Sequence, residues 1–106
     1  MFVAINYISC KEDYKDRFEE LFKTRAGAID QMPGFMNMHV LKPSNAGDEY
    51  LVVSHWENEH AFKAWTQSDA FLEGHKRGFA DIAKAREEGK EPPMKSTFRT
   101  YHLLSR

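Results

Sequence analysis

Four stretches of the chain have the density or alternation of apolar residues expected of β-strands. They cover residues 1–9, 35–42, 50–56 and 96–104. The first stretch is apolar on both faces except for Asn6, a pattern that is typical of a central strand. A segment rich in turn-forming residues separates the second stretch from the third. We therefore expect these two strands to form a hairpin.

Helical periodicity appears in two regions between the strands. From Tyr14 to Ile29 the apolar residues recur at helical spacing opposite a charged face, which predicts one long amphipathic helix. The sequence Met-Pro-Gly at 32–34 is expected to end it, because proline cannot continue the hydrogen-bond ladder. Asn58 and Ser68 are candidate N-caps of two shorter helices, since their side-chain oxygens can accept hydrogen bonds from first-turn amides.

The two shorter helices differ from the segment that follows them. Their apolar faces are expected to carry Ala61, Phe62 and Trp65 in the first helix and Phe71, Leu72 and His75 in the second. Residues 76–95 are mostly polar and contain two glycines and a Pro-Pro pair. We expect this polar segment to be mobile.

The order strand, helix, strand, strand, helices, strand predicts an α+β protein with the ferredoxin-like split βαβ arrangement. Residues 1–106 are expected to form one such domain, with an antiparallel sheet covered by helices on one face. Because the strands are apolar on both sides, the second face needs a cover that the chain does not supply. The simplest cover is a second copy, and we therefore predict a homodimer in which two sheets form an α+β barrel.

Composition excludes several classes of function. Fifteen Lys and Arg against sixteen Asp and Glu give a formal charge of −1, so no broad positive field attracts nucleic acid. No apolar run approaches the length of a membrane span, and the single Cys10 suits a reducing compartment. We expect a cytoplasmic protein that binds neither nucleic acid nor membranes.

The five histidines lack the spacing of zinc or di-iron motifs, and no dinucleotide, P-loop or acyl-transfer motif is present.

Three residues are candidates for chemistry, each with a structural alternative. Asn6 is an amide among apolar neighbours, so it is either satisfied by the backbone or directed at a ligand. Trp65 lies at core-like spacing next to Phe62 and, taken alone, favours a core role. His75 shares an apolar face with Phe71 and precedes two cations. An imidazole in that setting suits heme, whose iron takes a neutral nitrogen and whose propionates pair with positive charge, but a satisfied, half-buried histidine is the alternative.

Four segments together resemble one known family. They are A-I-N-Y at 4–7, R-A-G-A-I-D-Q-M-P-G-F at 25–35, V-S-H-W-E at 53–57 and A-F-K-A-W-T-Q-S-D-A-F-L-E-G-H at 61–75. In these segments and their order the chain is similar to the IsdG-type heme-degrading monooxygenases, a branch of the antibiotic biosynthesis monooxygenase superfamily. The first three segments are shared broadly across that superfamily. The last carries the family's Trp and His, and with Asn6 it completes the family's three functional positions.

The resemblance implies a role for each residue. His75 would be the proximal ligand of the heme iron, Trp65 would press on the macrocycle and distort it, and Asn6 would donate a hydrogen bond on the distal side. The remaining candidates would hold heme, which is both cofactor and substrate. They are Phe22 and Phe71 on the pocket wall, Arg25, one turn of helix beyond Phe22, as a propionate contact, and Lys76 and Arg77 as further propionate contacts from their charge.

The resemblance also implies a reaction and leaves rivals open. An external electron donor and dioxygen would open the porphyrin ring at a meso carbon and free iron. The main rival is a cofactor-independent monooxygenase of the same superfamily, acting on a polycyclic or quinol substrate without need of a proximal histidine. A heme carrier or sensor without catalysis is the second rival, and a purely structural dimeric module is the third.

Overall fold

A computed structural model describes residues 1–25 and 27–106. The strands are β1 (Phe2–Cys10), β2 (Phe35–Leu41), β3 (Tyr50–Trp56) and β4 (Met94–His102), and the α-helices are α1 (Lys15–Lys23), α2 (Glu59–Thr66) and α3 (Asp69–Glu87). Short 3-10 helices cover Glu12–Tyr14 and Ala28–Gln31. The strands form one antiparallel sheet in the order β2-β3-β1-β4. The predicted α+β, ferredoxin-like arrangement is confirmed.

The central position of β1 fixes the surroundings of Asn6. In the register of the sheet, Asn6 lies between Val52 on β3 and Phe98 on β4. Side chains alternate between the two faces of a strand, so these three residues share the face that also carries the buried Phe2 and Ile8. The single polar position of the first strand therefore lies on the side of the sheet that the helices cover.

Among the described residues, the buried side chains beneath the helices form two clusters. Trp56, with no exposed surface, forms one together with Phe2, Ile29, Ala61 and Trp65. Phe18, only 1% exposed, forms the other together with Ile8, Tyr14 and Tyr50. The clusters are built from different elements, and Asn6 lies between Phe2 of the first cluster and Ile8 of the second along β1.

The prediction of one helix from Tyr14 to Ile29 is wrong. The helix α1 ends at Lys23, and a separate 3-10 helix begins at Ala28. Gly27 adopts φ +75°, a left-handed conformation that a right-handed helix cannot contain. The apolar spacing continues past this break because Ile29 is buried in the cluster around Trp56, as part of a different element. Arg25 consequently follows α1 and does not lie on it.

The polar segment at 76–95 is largely helical, and its mobility stays a prediction. The helix α3 continues from Asp69 to Glu87 and includes Gly78. Its second half is rich in Ala, Lys, Arg and Glu, which are strong helix formers, so the helix does not need a continuous apolar face. No residue of α3 is buried, and Leu72, which was expected on the apolar face, is 59% exposed. The last strand begins at Met94, two residues earlier than predicted.

Both predicted N-caps are present. The Asn58 side chain accepts a hydrogen bond from the Ala61 amide at 2.9 Å. The Ser68 hydroxyl accepts one from the Phe71 amide at 3.1 Å. Each bond satisfies a first-turn donor that the helix itself cannot. These caps determine where α2 and α3 begin. They therefore also determine where the candidate site residues lie along each helix.

The opposite face of the sheet carries apolar side chains that stay partly exposed. Val3 and Ile5 of β1 and Val53 of β3 are intermediate in exposure, while Leu41 and Tyr101 are 47% and 44% exposed.

Within the described residues, no helix is long and apolar enough to cross a membrane. The single-domain organisation and the cytoplasmic location both stay predictions.

Candidate active site

A cavity of about 520 Å³ lies between the helices and the covered face of the sheet. This volume falls within the range of small-molecule and cofactor sites. Most of the predicted site residues line it, namely Asn6, Phe22, Arg25, Trp65, Phe71, His75 and Arg77. Lys76 is exposed on α3 and is absent from the lining, so the structure does not bring it to the site.

His75 lies on the cavity side of α3 in a defined orientation. Its Nδ1 atom is 2.7 Å from the carbonyl oxygen of Phe71, one helical turn earlier. A carbonyl only accepts hydrogen bonds, so Nδ1 carries the proton and donates it. In the neutral imidazole the lone pair then resides on Nε2, the tautomer that metal-binding histidines adopt when a carbonyl orients them.

Aromatic rings fix the plane of the His75 imidazole. Phe71 stacks on it with ring centroids 4.0 Å apart, and Phe79 stacks on it at 5.4 Å. The indole of Trp65 is 6.2 Å away at an angle of 43°. The imidazole therefore has an apolar, ring-lined environment and a hydrogen bond that orients it, which suits a ligand for a metal held in a flat macrocycle.

Trp65 is both a core residue and a wall of the cavity. It is 6% exposed and stacks on Trp56 at 6.4 Å, while Phe71 meets it edge-on at 5.4 Å. A Cβ atom added at Gly74 would lie 3.5 Å from Cη2 of Trp65, so the backbone of α3 passes close to the indole. The structural and functional interpretations of Trp65 are thus compatible.

The Asn6 amide faces the cavity from the sheet. Asn6 is partly exposed, and among the described residues its side chain has no hydrogen-bond partner. The nearby Ser54 differs, because its hydroxyl is buried and accepts a hydrogen bond from the Trp56 indole at 3.0 Å. The Asn6 amide therefore keeps donors and an acceptor for a molecule in the cavity.

The two arginines of the cavity have different partners. Arg25 places Nη2 3.3 Å from one carboxylate oxygen of Asp30 and 3.4 Å from the other. Arg77 donates to the Thr24 hydroxyl at 2.9 Å and to the carbonyls of Leu21 and Thr24 at 3.0 and 3.1 Å. A propionate at Arg25 would compete with one long ion pair, whereas a propionate at Arg77 would compete with three short bonds.

A second polar contact joins α3 to the first helical segment. Asp81 accepts hydrogen bonds from the Tyr14 hydroxyl at 2.6 Å and from Nε of Arg17 at 3.0 Å. Burial alone would raise the pKa of the Asp81 carboxyl, but these two hydrogen bonds outweigh it and the pKa lies below its ordinary value. Burial and the bond to Asp81 raise the pKa of Tyr14. Tyr14 therefore stays protonated as the donor.

Several lining residues escaped the sequence analysis. Phe79 and Ile82 continue the face of Phe71 and His75 at spacings of three and four residues, and Phe98 and Met94 reach the cavity from β4. The helical spacing of Phe79 and Ile82 was a usable signal, which the polar residues around them obscured. Phe98 could be found only from the register that sets it beside Asn6.

A family comparison assigns the chain. The model of the antibiotic biosynthesis monooxygenase family matches residues 1–77. The chain belongs to this family. The match contains Asn6, Trp65 and His75, and it ends within α3.

The relatives of this chain include proteins named as heme oxygenases. A mycobilin-producing heme oxygenase of Mycobacterium tuberculosis is 37% identical over 68 residues, which are 64% of this chain and 65% of the relative. The match thus spans just under two thirds of that relative's length. A staphylobilin-producing heme oxygenase of Staphylococcus haemolyticus is 36% identical over 77 residues, or 71% of this chain and 73% of the relative.

Solved structures share the fold across the whole chain. The heme-degrader MhuD from Mycobacterium tuberculosis, with two hemes bound in its active site, superposes with a TM-score of 0.72 and 26% identity, covering 100% of this chain and 98% of that one. SnoaB, a cofactor-independent oxygenase from Streptomyces nogalater, has a TM-score of 0.71 at 17% identity, covering 99% and 94%. The second likeness concerns the fold alone.

Proposed function

We propose that this protein is a heme-degrading monooxygenase, with heme as both substrate and cofactor. The observation that carries the proposal is His75, whose Nδ1 donates to the Phe71 carbonyl and leaves Nε2 as the basic nitrogen beside an apolar cavity. The relatives named as heme oxygenases support the same assignment. Dioxygen and an external electron donor complete the reaction.

The residues of the cavity fit a heme. Phe71, Phe79 and Trp65 supply aromatic surface on the side of His75, and Phe22 supplies it from α1. Arg25 places a cation at the wall for a carboxylate. Phe79 is 47% exposed, and a flat apolar ligand would cover its ring.

The chain's own residues would bind, orient and protect the ligand. His75 would ligate the iron from the α3 side, while the Asn6 amide would donate a hydrogen bond from the sheet. Trp65, fixed between Trp56 and Phe71, would press on the macrocycle without moving itself. The bound heme supplies both the metal that activates oxygen and the ring carbon that is oxidised.

Turnover of the hemin-loaded protein tests the proposal. We expect the Soret band to disappear, with release of chelatable iron, during incubation with ascorbate and air in the presence of catalase, which removes free peroxide. Asn6→Ala should keep the band in the absence of reductant and lose turnover. A Soret band that persists in the wild type would favour the carrier or sensor. A protein that forms no specific Soret band would favour the cofactor-independent rival.

We also propose that two chains form a homodimer by pairing through the face of the sheet opposite the helices. The support is the row of partly exposed apolar side chains on that face, including Val3, Ile5 and Val53. Light scattering after size exclusion should give twice the chain's mass of 12.3 kDa. Ile5→Lys should give monomers, because an ammonium group would be desolvated at the interface. A monomeric wild type at micromolar concentration would contradict the pairing.

A further inference from the structure

The contacts of Arg77 differ from those expected of a ligand-binding arginine. Its guanidinium donates three hydrogen bonds of 2.9 to 3.1 Å, and all three go to the end of α1. Two acceptors are the carbonyls of Leu21 and Thr24, and the third is the Thr24 hydroxyl. The sequence alone suggested a propionate contact for this residue, but these donors are already engaged by the protein.

The carbonyl groups at the end of α1 need hydrogen-bond donors from outside the helix. The last carbonyls of a helix have no amide partner within it, and they carry the negative end of the helix dipole. The planar fork of an arginine can satisfy several of them at once, with a favourable interaction between charge and dipole. Arg77 therefore caps α1 from a different helix.

The cap connects two walls of the cavity. Arg77 is two residues from His75 on α3, and the carbonyls it holds flank Phe22 and precede Arg25 on the facing wall. The helix α3 has no fully buried residue, and the hydrogen bonds of Arg77 connect it to the end of α1. Asp81, one turn beyond Arg77, makes the second contact through Tyr14 and Arg17.

We propose that Arg77 is a positioning residue that fixes the gap between α1 and α3, and with it the placement of His75, and that it does not bind the carboxylates of the ligand. The inference rests on the proposed heme-binding function. It assigns the carboxylate contact to Arg25, whose partner Asp30 is held only at 3.3 and 3.4 Å.

Affinities for hemin and for its dimethyl ester distinguish a positioning role of Arg77 from binding of the ligand's carboxylates. The ester keeps the iron and the ring but removes the carboxylate charges. Arg77→Ala should weaken binding of both by a similar factor, roughly 10-fold, the effect expected when a group supporting a metal ligand is removed. The matched variant Arg25→Ala should weaken binding of hemin and leave the ester unaffected. A loss that Arg77→Ala shows for hemin alone, or no loss for either compound, would overturn the proposal.

A spectroscopic measurement distinguishes positioning from loss of folding. The Fe–His stretching band of the ferrous complex, recorded by resonance Raman without oxygen, should shift or broaden in Arg77→Ala. Arg77→Lys keeps a cation near the carbonyls but lacks the fork, so its band and affinity should fall between those of wild type and Arg77→Ala. An unchanged band in Arg77→Ala would contradict the inference.

A third measurement needs no heme, so it separates failure of this inference from failure of the proposed function. The backbone amides of Thr24 and Arg25 donate hydrogen bonds to the carbonyl oxygens of Glu20 and Phe22, respectively, at the end of α1. In the ligand-free protein, Arg77→Ala should speed hydrogen exchange at these two amides, while Lys76→Ala, on the exposed side of α3, should not. Unchanged exchange in Arg77→Ala would overturn the inference. A wild type that binds neither hemin compound would refute the heme function instead.

Discussion

The helices α2 and α3 begin in the same way and end up in different environments. Each has a side-chain N-cap, Asn58 in α2 and Ser68 in α3. The eight-residue α2 buries Ala61 and Trp65 against the core, whereas the 19-residue α3 has no fully buried residue and packs the partly buried Ala70 and Phe71 on the core. The aromatic face of α3 lines the cavity, where it meets Phe62 and Trp65 of α2.

The difference shows that α2 packs on the protein's own core, whereas the apolar face of α3 borders the cavity where the proposed ligand would bind. An apolar helix face normally provides most of a helix's stability by packing on the core. In α3 that face carries His75, the only histidine in the cavity wall among the described residues. Substitutions of the buried residues of α2 should therefore affect folding most, and substitutions on the cavity face of α3 should affect binding most.

Truncating the core residue of α2 should have the largest effect. Trp65→Ala should lower the free energy of unfolding by roughly 3–5 kcal/mol, since it removes a large buried side chain and leaves a cavity. Leu72→Ala on α3 is the matched control and should change stability by no more than about 0.5 kcal/mol, because Leu72 is exposed. Urea denaturation measures both. Equal losses in the two variants would remove the distinction between the helices.

Removing the candidate iron ligand should come next. His75→Ala should weaken ferric heme binding by about 100-fold, at or above the range seen for groups that merely support a metal ligand. The unfolding midpoint without heme should hardly move, since the side chain is only half buried. His60→Ala, on the exposed side of α2, should leave affinity unchanged. An affinity for heme that survives in His75→Ala would exclude the proximal role.

The two N-caps offer a smaller and more discriminating comparison. Asn58→Ala should reduce global stability by about 1 kcal/mol, because α2 is part of the core. Ser68→Ala should reduce global stability less and instead speed amide exchange in the first turn of α3, which can fray without opening the core. Equal effects of the two variants on global unfolding would show that α3 is as firmly integrated as α2 without a ligand.

The smallest effect concerns pH and the contact between α3 and α1. The pKa of Asp81 is lower in the folded than in the unfolded protein. Its contribution to the free energy of unfolding is therefore complete above about pH 4 and is lost as the pH falls through the folded pKa. Asp81→Asn should cost less than about 1 kcal/mol at pH 7, since the ion pair with Arg17 is partly exposed. The gap between variant and wild type should close below about pH 4. A gap that widens in acid would contradict this sign.

The sequence predicted the parts of the fold that depend on local pattern. The strand at Tyr50–Trp56 has the predicted bounds, and the caps at Asn58 and Ser68 depend only on side chains near the helix starts. The end of α1 was missed because the apolar spacing of Ile29 continues across the left-handed turn at Gly27. Local pattern cannot reveal that such spacing belongs to two elements.

The placement of the candidate site residues around one cavity could be predicted where residue type indicates it, but not where tertiary contacts decide it. Asn6, Trp65 and His75 come from three elements, and the structure brings all three to one cavity. The partners of Arg77 lie more than 50 positions earlier in the chain, so its charge alone suggested a different role. The polar composition of 76–95 hid a helix whose apolar face is not completed by the protein's own core.

The most direct test of this account is amide hydrogen exchange with and without one equivalent of ferric hemin per chain, in the absence of reductant. We predict that α3 gains protection along the face from Phe71 to Ile82, while α2, already packed on Trp56, changes little. Unchanged exchange in α3, or equal protection of both helices, would show that heme does not complete the packing of α3.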